Sequence, residues 1–310
     1  MEHLPALGTA IPDIISSTTK IYQPLLIEKA NDILSTKKET FSYGPTPRQV
    51  LDIYYPSEEK ISPSPVLLFF YGGGLVRGDR ILSVVNGLLY TNLGHFFSKL
   101  GYVTVIPDYR LVPEAKYPSG GEDVLAALEW TDARFAGEGR DIYLMGNSAG
   151  GVHVSTFLLA ENFASQRSGF IRTVGGLRGA ILLSVPFSFR EAHEERTETL
   201  QAYFGPDVER NSPLGLLKVV EKSGTTLPIP FLVLTCTLDP ASEIINPAKE
   251  FAELCTKLTS TGVGSRIFET RVIEGHNHIS PVYGVGTGKK SEEVWAVEVH
   301  EWMRTLATRK

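Results

Sequence analysis

The residues around position 148 constrain the fold more than any other part of the chain. Residues 146–150 read Gly-Asn-Ser-Ala-Gly, with an apolar run before them at 141–145 and an apolar stretch of helical character after them at 152–159. A strand, a sharp turn and a helix in this order lift the Ser148 hydroxyl clear of the backbone. The glycines favour such a turn, because a Cβ would clash where strand and helix approach each other. The segment therefore predicts a serine presented in a cleft at the end of a buried strand.

The rest of the chain alternates strand-like and helix-like stretches. Apolar runs bounded by turn residues are typical of buried parallel strands, and helices between them cover both faces of the sheet. We therefore predict an α/β fold, with one domain over residues 1–310 and a mostly parallel central sheet. Two segments depart from the pattern, residues 1 to about 45 and 187–223, and we expect them to form a small helical cap over the cleft. The predicted strands are 50–55, 65–71, 102–106, 141–145, 177–185, 228–236 and 266–273, and the helices 84–100, 121–133, 152–159, 243–259 and 292–306.

Composition narrows the classes of protein and partner. The chain has 310 residues, 42% hydrophobic and 21% charged, which suits one large soluble domain. A net charge of −5 disfavours nucleic acid and anionic membrane as partners. We expect no signal peptide and no membrane span, because no apolar run is long enough. Cys236 and Cys255 are isolated in the sequence and are expected to be free thiols, which fits the reducing cytoplasm. A homodimer is possible.

A run of glycines could supply backbone N–H groups beside the serine. Gly72, Gly73 and Gly74 follow the apolar run that ends at Tyr71. Backbone N–H groups left uncovered here could bind the oxygen that becomes negative during acyl transfer. We predict an oxyanion hole formed by Gly73, Gly74 and Ala149. A tight turn is the alternative interpretation, and the position after a buried strand favours the hole.

Two further residue types at strand ends suggest how the serine is activated, since a serine hydroxyl alone is a weak nucleophile. Asp239 follows the strand-like run 231–236, where it could orient a histidine, or else cap the helix that follows. His276 and His278 follow the last predicted strand. Imidazole titrates near neutral pH, so we expect one of the two to be the general base and the other to bond within the loop.

A His-x-His pair can also bind a metal ion. No further cluster of histidine and cysteine accompanies this pair in the sequence. We therefore predict no metal site and no cofactor. His153, on the helix after Ser148, is expected to be a packed or surface histidine.

Taken together, these motifs resemble the hormone-sensitive-lipase-like and feruloyl-esterase-like carboxylesterase branch of the α/β-hydrolase superfamily, which is related to kynurenine formamidases. The resemblance spans roughly residues 43–305, and the segments that carry it are 43–54, 72–74, 108–118, 122–130, 146–151, 239–240 and 275–280. It implies the α/β-hydrolase fold and a triad in the chain order Ser148, Asp239, His278. His278 is preferred to His276 because a large apolar residue, here Ile279, follows the histidine in formamidase-like members. Two residues depart from the family pattern, since Tyr71 replaces the usual histidine and Asn147 replaces the usual aspartate or histidine.

The resemblance implies a serine hydrolase that cleaves a small carboxylic ester through an acyl-enzyme. An amidase or formamidase and a lactone hydrolase share this chemistry, and the sequence does not separate them. A non-catalytic small-molecule receptor on the same fold is an alternative of another class, although such proteins typically lose a triad member. The cap aromatics are expected to line an apolar pocket, and they are Phe187, Phe189, Tyr203 and Phe204.

Overall fold

Eight strands form one sheet in the computed structural model, which describes residues 1–57, 62–172, 174–260 and 268–308. The spatial order of the strands is β1-β2-β4-β3-β5-β6-β7-β8. The pairs β1–β2 and β2–β4 are antiparallel, and all the other neighbouring pairs are parallel. The predicted mostly parallel sheet is therefore present. The strands are β1 (Lys38–Ser42), β2 (Val50–Tyr54), β3 (Val66–Phe70), β4 (Val103–Pro107), β5 (Asp141–Asn147), β6 (Gly176–Leu183), β7 (Phe231–Leu238) and β8 (Phe268–Asn277).

Burial along the central strands shows why the sheet is covered on two sides. Every residue of β3 and of β4 is buried. Successive side chains of a strand point to opposite faces, so both faces must be packed against other elements. This explains the continuous apolar runs in the sequence. The edge strand β1 instead alternates between exposed and half-buried positions.

Eleven α-helices surround the sheet in the described part of the chain. They contact one another in two groups, one that includes α4, α5, α8 and α9 and another that includes α1, α2, α3, α10 and α11. The helices are α1 (Ile11–Glu28), α2 (Ala30–Leu34), α3 (Thr91–Lys99), α4 (Ser119–Arg134), α5 (Ala149–Leu159), α6 (Ala164–Phe170), α7 (Thr197–Phe204), α8 (Pro213–Lys222), α9 (Asn246–Ser260), α10 (Ser280–Gly284) and α11 (Lys290–Ala307). None of these is both long and apolar enough to cross a membrane.

The N-terminal segment differs from its prediction. Residues 1 to about 45 were expected to belong to a small helical cap, but Lys38–Ser42 is a strand whose backbone pairs with β2. Its polar residues gave no apolar signal because it lies at the sheet edge. Helix α1 is continuous through Pro12 and Pro24. Pro12 occupies the first turn, where the missing N–H costs nothing, and only Pro24 lies in the interior.

Two other predicted elements have different bounds in the structure. The helix predicted over 84–100 begins only at Thr91, and a 3₁₀ turn at Ser83–Val85 precedes it. The strand predicted over 266–273 begins, within the described residues, at Phe268 and continues through Asn277. Positions 266 and 267 lie outside the described residues. The segment 187–223 contains α7 and α8, and its role as a cap stays a prediction.

Candidate active site

The predicted functional residues lie at the carboxyl ends of neighbouring parallel strands. The glycine loop follows β3, Ser148 follows β5, Asp239 follows β7, and His278 follows β8. Parallel strands end at the same edge of a sheet, so residues far apart in the chain meet there.

Ser148 occupies a strained turn between β5 and α5. Its φ of 51° lies in the region that side chains rarely adopt. The turn brings the start of α5 against the end of β3, so a Cβ on Gly150 would lie 2.1 Å from the carbonyl oxygen of Phe70. Glycine is therefore required at position 150 if Ser148 is to keep this conformation.

Ser148, His278 and Asp239 form a chain of hydrogen-bonding groups. His278 Nε2 lies 2.9 Å from Ser148 Oγ, and His278 Nδ1 lies 2.8 Å from Asp239 Oδ1. A carboxylate accepts hydrogen bonds only, so the imidazole proton lies on Nδ1 and Nε2 is free to accept a proton from the serine. Asp239 and His278 are buried, while Ser148 is half-buried. This arrangement can deliver a deprotonated serine oxygen to a bound acyl group.

Two groups that sequence reasoning missed hold the other oxygen of Asp239. The Ser184 hydroxyl donates to Oδ2 at 2.8 Å, and the backbone N–H of Cys236 donates to the same atom at 2.7 Å. Ser184 follows β6, between the strands of Ser148 and Asp239. A polar residue directly after a buried strand was the available signal. These bonds leave Oδ1 for His278 and fix the carboxylate plane.

His276 has a different environment from His278, although only one residue separates them. Its Nδ1 lies 2.8 Å from the hydroxyl oxygen of Ser280, and its ring is fully buried. Burial lowers the pKa of His276 to about 4, so the ring is neutral at pH 7. His276 and His278 therefore contact different partners, and only His278 reaches Ser148.

The glycine loop lies beside the serine. A Cβ on Gly72 would lie 3.0 Å from Ser148 Cβ. Gly73 and Gly74 both have positive φ, and a Cβ on Gly73 would lie 1.8 Å from the carbonyl oxygen of Arg77. Within the described residues, the N–H groups of Gly73, Gly74 and Ala149 donate to no other group. Donors of this kind are available to a ligand oxygen.

Tyr71, the residue that departs from the family pattern, anchors the start of the glycine loop. Its hydroxyl donates to Asp108 Oδ1 at 2.6 Å and accepts from Arg48 Nη2 at 2.8 Å. Its ring stacks on Tyr90 and Tyr109, with centroids 5.2 Å and 4.8 Å away. The loop therefore starts from a rigid, buried residue.

Comparison with known proteins agrees with this architecture. A family profile described as BD-FAE matches residues 51–172. Esterase LipC of Mycobacterium tuberculosis is 35% identical over 116 residues, which are 36% of this chain and 27% of that protein. The crystal structure of esterase B from Lactobacillus rhamnosis is 18% identical, with a TM-score of 0.69 over 96% of both chains. The chain has the α/β-hydrolase fold. The predicted fold class is thus confirmed, as is the resemblance to the carboxylesterase branch.

The curated relatives of this chain include a protein that is not named as an enzyme. The gibberellin receptor GID1 of Oryza sativa subsp. japonica is 36% identical over 95 residues, which are 29% of this chain and 25% of the receptor. The matches thus cover about a quarter of the length of LipC and of the receptor. They support the resemblance to the carboxylesterase branch.

The predicted pocket aromatics are all buried, but they pack in different places. Phe187 stacks on Phe251 of α9, with centroids 4.1 Å apart. The ring of Phe204 packs against Tyr203 and against Phe189, with centroid distances of 4.8 Å and 5.2 Å respectively. Phe187 thus contributes to the packing of α9, whereas the other three form one aromatic cluster at the end of α7.

His153 is a packed residue of this cluster. Its Nδ1 lies 3.3 Å from the Tyr203 hydroxyl, which also accepts the N–H of Gly120. Its Nε2 is buried without a hydrogen-bond partner. Burial lowers the pKa of His153 to about 3, so it is neutral near pH 7.

The part of the chain that the structure describes contains no group of three or more His, Cys, Asp or Glu side chains arranged to hold a metal ion. Of the two histidines that could have formed such a site, His276 lies within hydrogen-bond distance of Ser280. His278 lies within hydrogen-bond distance of Ser148 and Asp239.

Proposed function

We propose that this α/β-hydrolase is a serine hydrolase that cleaves a small carboxylic ester through an acyl-enzyme. The observation that carries the proposal is the bonded sequence from Ser148 Oγ through His278 to Asp239, with distances of 2.9 Å and 2.8 Å. The similarity to esterase LipC supports the substrate class.

In the proposed reaction His278 Nε2 takes the proton of Ser148 as the serine oxygen attacks the acyl carbon. Asp239 keeps the imidazole in the required tautomer and stabilises its positive charge. His278 then gives the proton to the departing alcohol. Water, deprotonated by the same nitrogen, attacks the acyl-enzyme and releases the acid, with Ser148 regenerated.

The N–H groups of Gly73, Gly74 and Ala149 would bind the carbonyl oxygen as it becomes negative. These N–H groups make no hydrogen bond to any described residue, which supports this role. Donors that are already oriented need no reorganisation in the transition state. Ala149 is also the first residue of α5, where N–H groups have no partner within the helix.

We also propose that α7 and α8 form a cap that limits the size of the substrate. The aromatic cluster of Phe189, Tyr203 and Phe204 would supply its apolar surface. A panel of p-nitrophenyl esters of increasing chain length measures this limit. A steep loss of kcat/KM beyond short acyl chains is expected for a small ester substrate.

A fluorophosphonate probe tests the nucleophile, because it reacts with activated serines. We expect stoichiometric labelling at Ser148, and loss of both labelling and turnover in Ser148→Ala, by about 10⁶-fold in kcat. Ser155→Ala is the matched control. Ser155 is a buried serine on α5, the helix that follows Ser148, and its hydroxyl has no hydrogen-bond partner among the described residues. Its loss should leave labelling unchanged.

The same experiment separates the other functions. Turnover of anilides or formamides in place of esters, with Ser148 still labelled, would indicate an amidase or formamidase. Absence of labelling and of any turnover by the wild type would contradict the hydrolase. The similarity to the receptor GID1 would then favour a ligand-binding protein.

A further inference from the structure

Helix α1 makes a buried hydrogen bond to the loop that carries His278. The side-chain amide nitrogen of Asn277 lies 2.8 Å from the hydroxyl oxygen of Thr18 on α1. Both residues are fully buried. They are 259 positions apart in the chain, so this contact exists only in the folded molecule.

The other end of the Asn277 side chain holds the backbone that follows His278. Asn277 Oδ1 accepts the backbone N–H of Ser280 at 3.0 Å and that of Ile279 at 3.3 Å. The Ser280 hydroxyl in turn accepts the backbone N–H of Asn277 at 3.0 Å. The Asn277 amide therefore holds the backbone directly after His278, while the Ser280 hydroxyl holds the backbone directly before it. Thr18 orients that amide.

Two further contacts join α1 to the surroundings of the loop. The Tyr22 hydroxyl donates to Glu292 Oε2 at 2.6 Å, and the same carboxylate oxygen lies 3.6 Å from His276 Nε2. The hydroxyl oxygens of Thr19 and Tyr283 lie 3.0 Å apart, which joins α1 to α10 directly after the loop. Helix α1 thus contacts the loop and the element that follows it.

We propose that helix α1 positions His278, with Thr18 and Asn277 as positioning residues. The inference rests on the proposed function, because positioning matters only if His278 acts as the base. The physical reason is geometric. Displacement of a catalytic group by about 1 Å can cost on the order of a hundredfold in rate. A buried amide N–H that has lost its acceptor is costly, which favours rotation of the Asn277 side chain. Rotation would release the N–H groups of Ile279 and Ser280, directly after His278.

Thr18→Val tests the contact, since valine has nearly the same shape and lacks the hydroxyl. We expect kcat for p-nitrophenyl acetate to fall about tenfold, with KM within about twofold of the wild type. Thr18→Ser keeps a hydroxyl at this position and should have most of the wild-type kcat, unlike Thr18→Val. Recovery shows that the hydroxyl, and not the shape of the side chain, is what matters.

Thr131→Val is the matched control for a buried threonine in a helix. Thr131 is fully buried in α4, and its hydroxyl donates to the carbonyl of Ala127. Its replacement removes the same group without touching the His278 loop. It should leave kcat unchanged even where it lowers the melting temperature.

A proton NMR measurement reports on His278 independently of turnover. The Nδ1 proton of a histidine that is bonded to a carboxylate gives a low-field signal. The loss of this signal in His278→Gln would assign it to His278. We expect Thr18→Val to weaken or broaden this signal and Thr131→Val to keep it. Full kcat together with an unchanged low-field signal in Thr18→Val would overturn the proposal.

The outcomes of the two proposals are distinguishable. If the wild type reacts with the fluorophosphonate and Thr18→Val reacts equally fast, positioning by α1 is wrong and the hydrolase stands. If the wild type neither labels nor turns over esters, the hydrolase is wrong. The low-field signal of Thr18→Val then still decides whether α1 holds the His278 ring.

Discussion

The buried histidine His153 should make the protein less stable in mild acid. Its pKa is about 3 in the folded protein because of burial, against about 6.5 in an unfolded chain. Between these values the unfolded state binds a proton that the folded state does not, so stability falls as the pH drops below about 6.5. Near pH 5 the loss from this one group is about 2 kcal/mol. That is a large fraction of the 5–15 kcal/mol typical of a domain.

The perturbation that isolates this effect is His153→Gln, which cannot titrate and keeps an acceptor for Tyr203. Urea unfolding at pH 7 and pH 5 gives the free energy of unfolding of wild type and variant. The variant should lose about 2 kcal/mol less than the wild type between the two pH values. His276, with a pKa of about 4, contributes a similar loss by the same argument, which remains in the variant.

Thr131→Val again provides a control, because it removes a buried hydroxyl and no titratable group. Its effect on the free energy of unfolding should be equal at the two pH values. If wild type and His153→Gln lose the same stability between pH 7 and pH 5, then His153 is protonated in the fold as easily as in the unfolded chain, and the burial argument is refuted.

Three further substitutions test the site. Ser184→Gly removes one hydrogen bond to Asp239, and glycine suits the positive φ at that position. It should lower kcat/KM for p-nitrophenyl acetate about tenfold. An unchanged kcat/KM would rule out a role of Ser184 in orienting the carboxylate. Asp239→Asn should lower kcat about 10⁴-fold with the melting temperature little changed, and activity near that of the wild type would contradict the triad. Gly150→Ala places a Cβ 2.1 Å from the Phe70 carbonyl oxygen and should lower the free energy of unfolding by about 3 kcal/mol, measured by thermal unfolding. Gly169→Ala, which places its Cβ in open space, should leave the stability unchanged. Equal melting temperatures for the two variants would contradict the close approach of Gly150 to Phe70.

Local patterns in the sequence were sufficient for the architecture. A continuous apolar run identifies a buried strand, so β3, β4 and the strand before Ser148 were predicted to within a few residues. Elements with a weak apolar signal were missed or misplaced. The polar edge strand β1 was assigned to a cap, and the helix that begins at Thr91 was started seven residues early.

The sequence by itself determined which residue types stand at strand ends, and their order gave Ser148, Asp239 and a histidine. It did not separate His276 from His278 on their residue type, because both lie in one loop. The tertiary structure decided that His278 faces Ser148, that Ser184 and Cys236 hold Asp239, and that α1 bonds to the histidine loop. The physical reason is that a strand or helix depends on neighbours in the chain, whereas a hydrogen bond across the site depends on which strands lie side by side in the sheet.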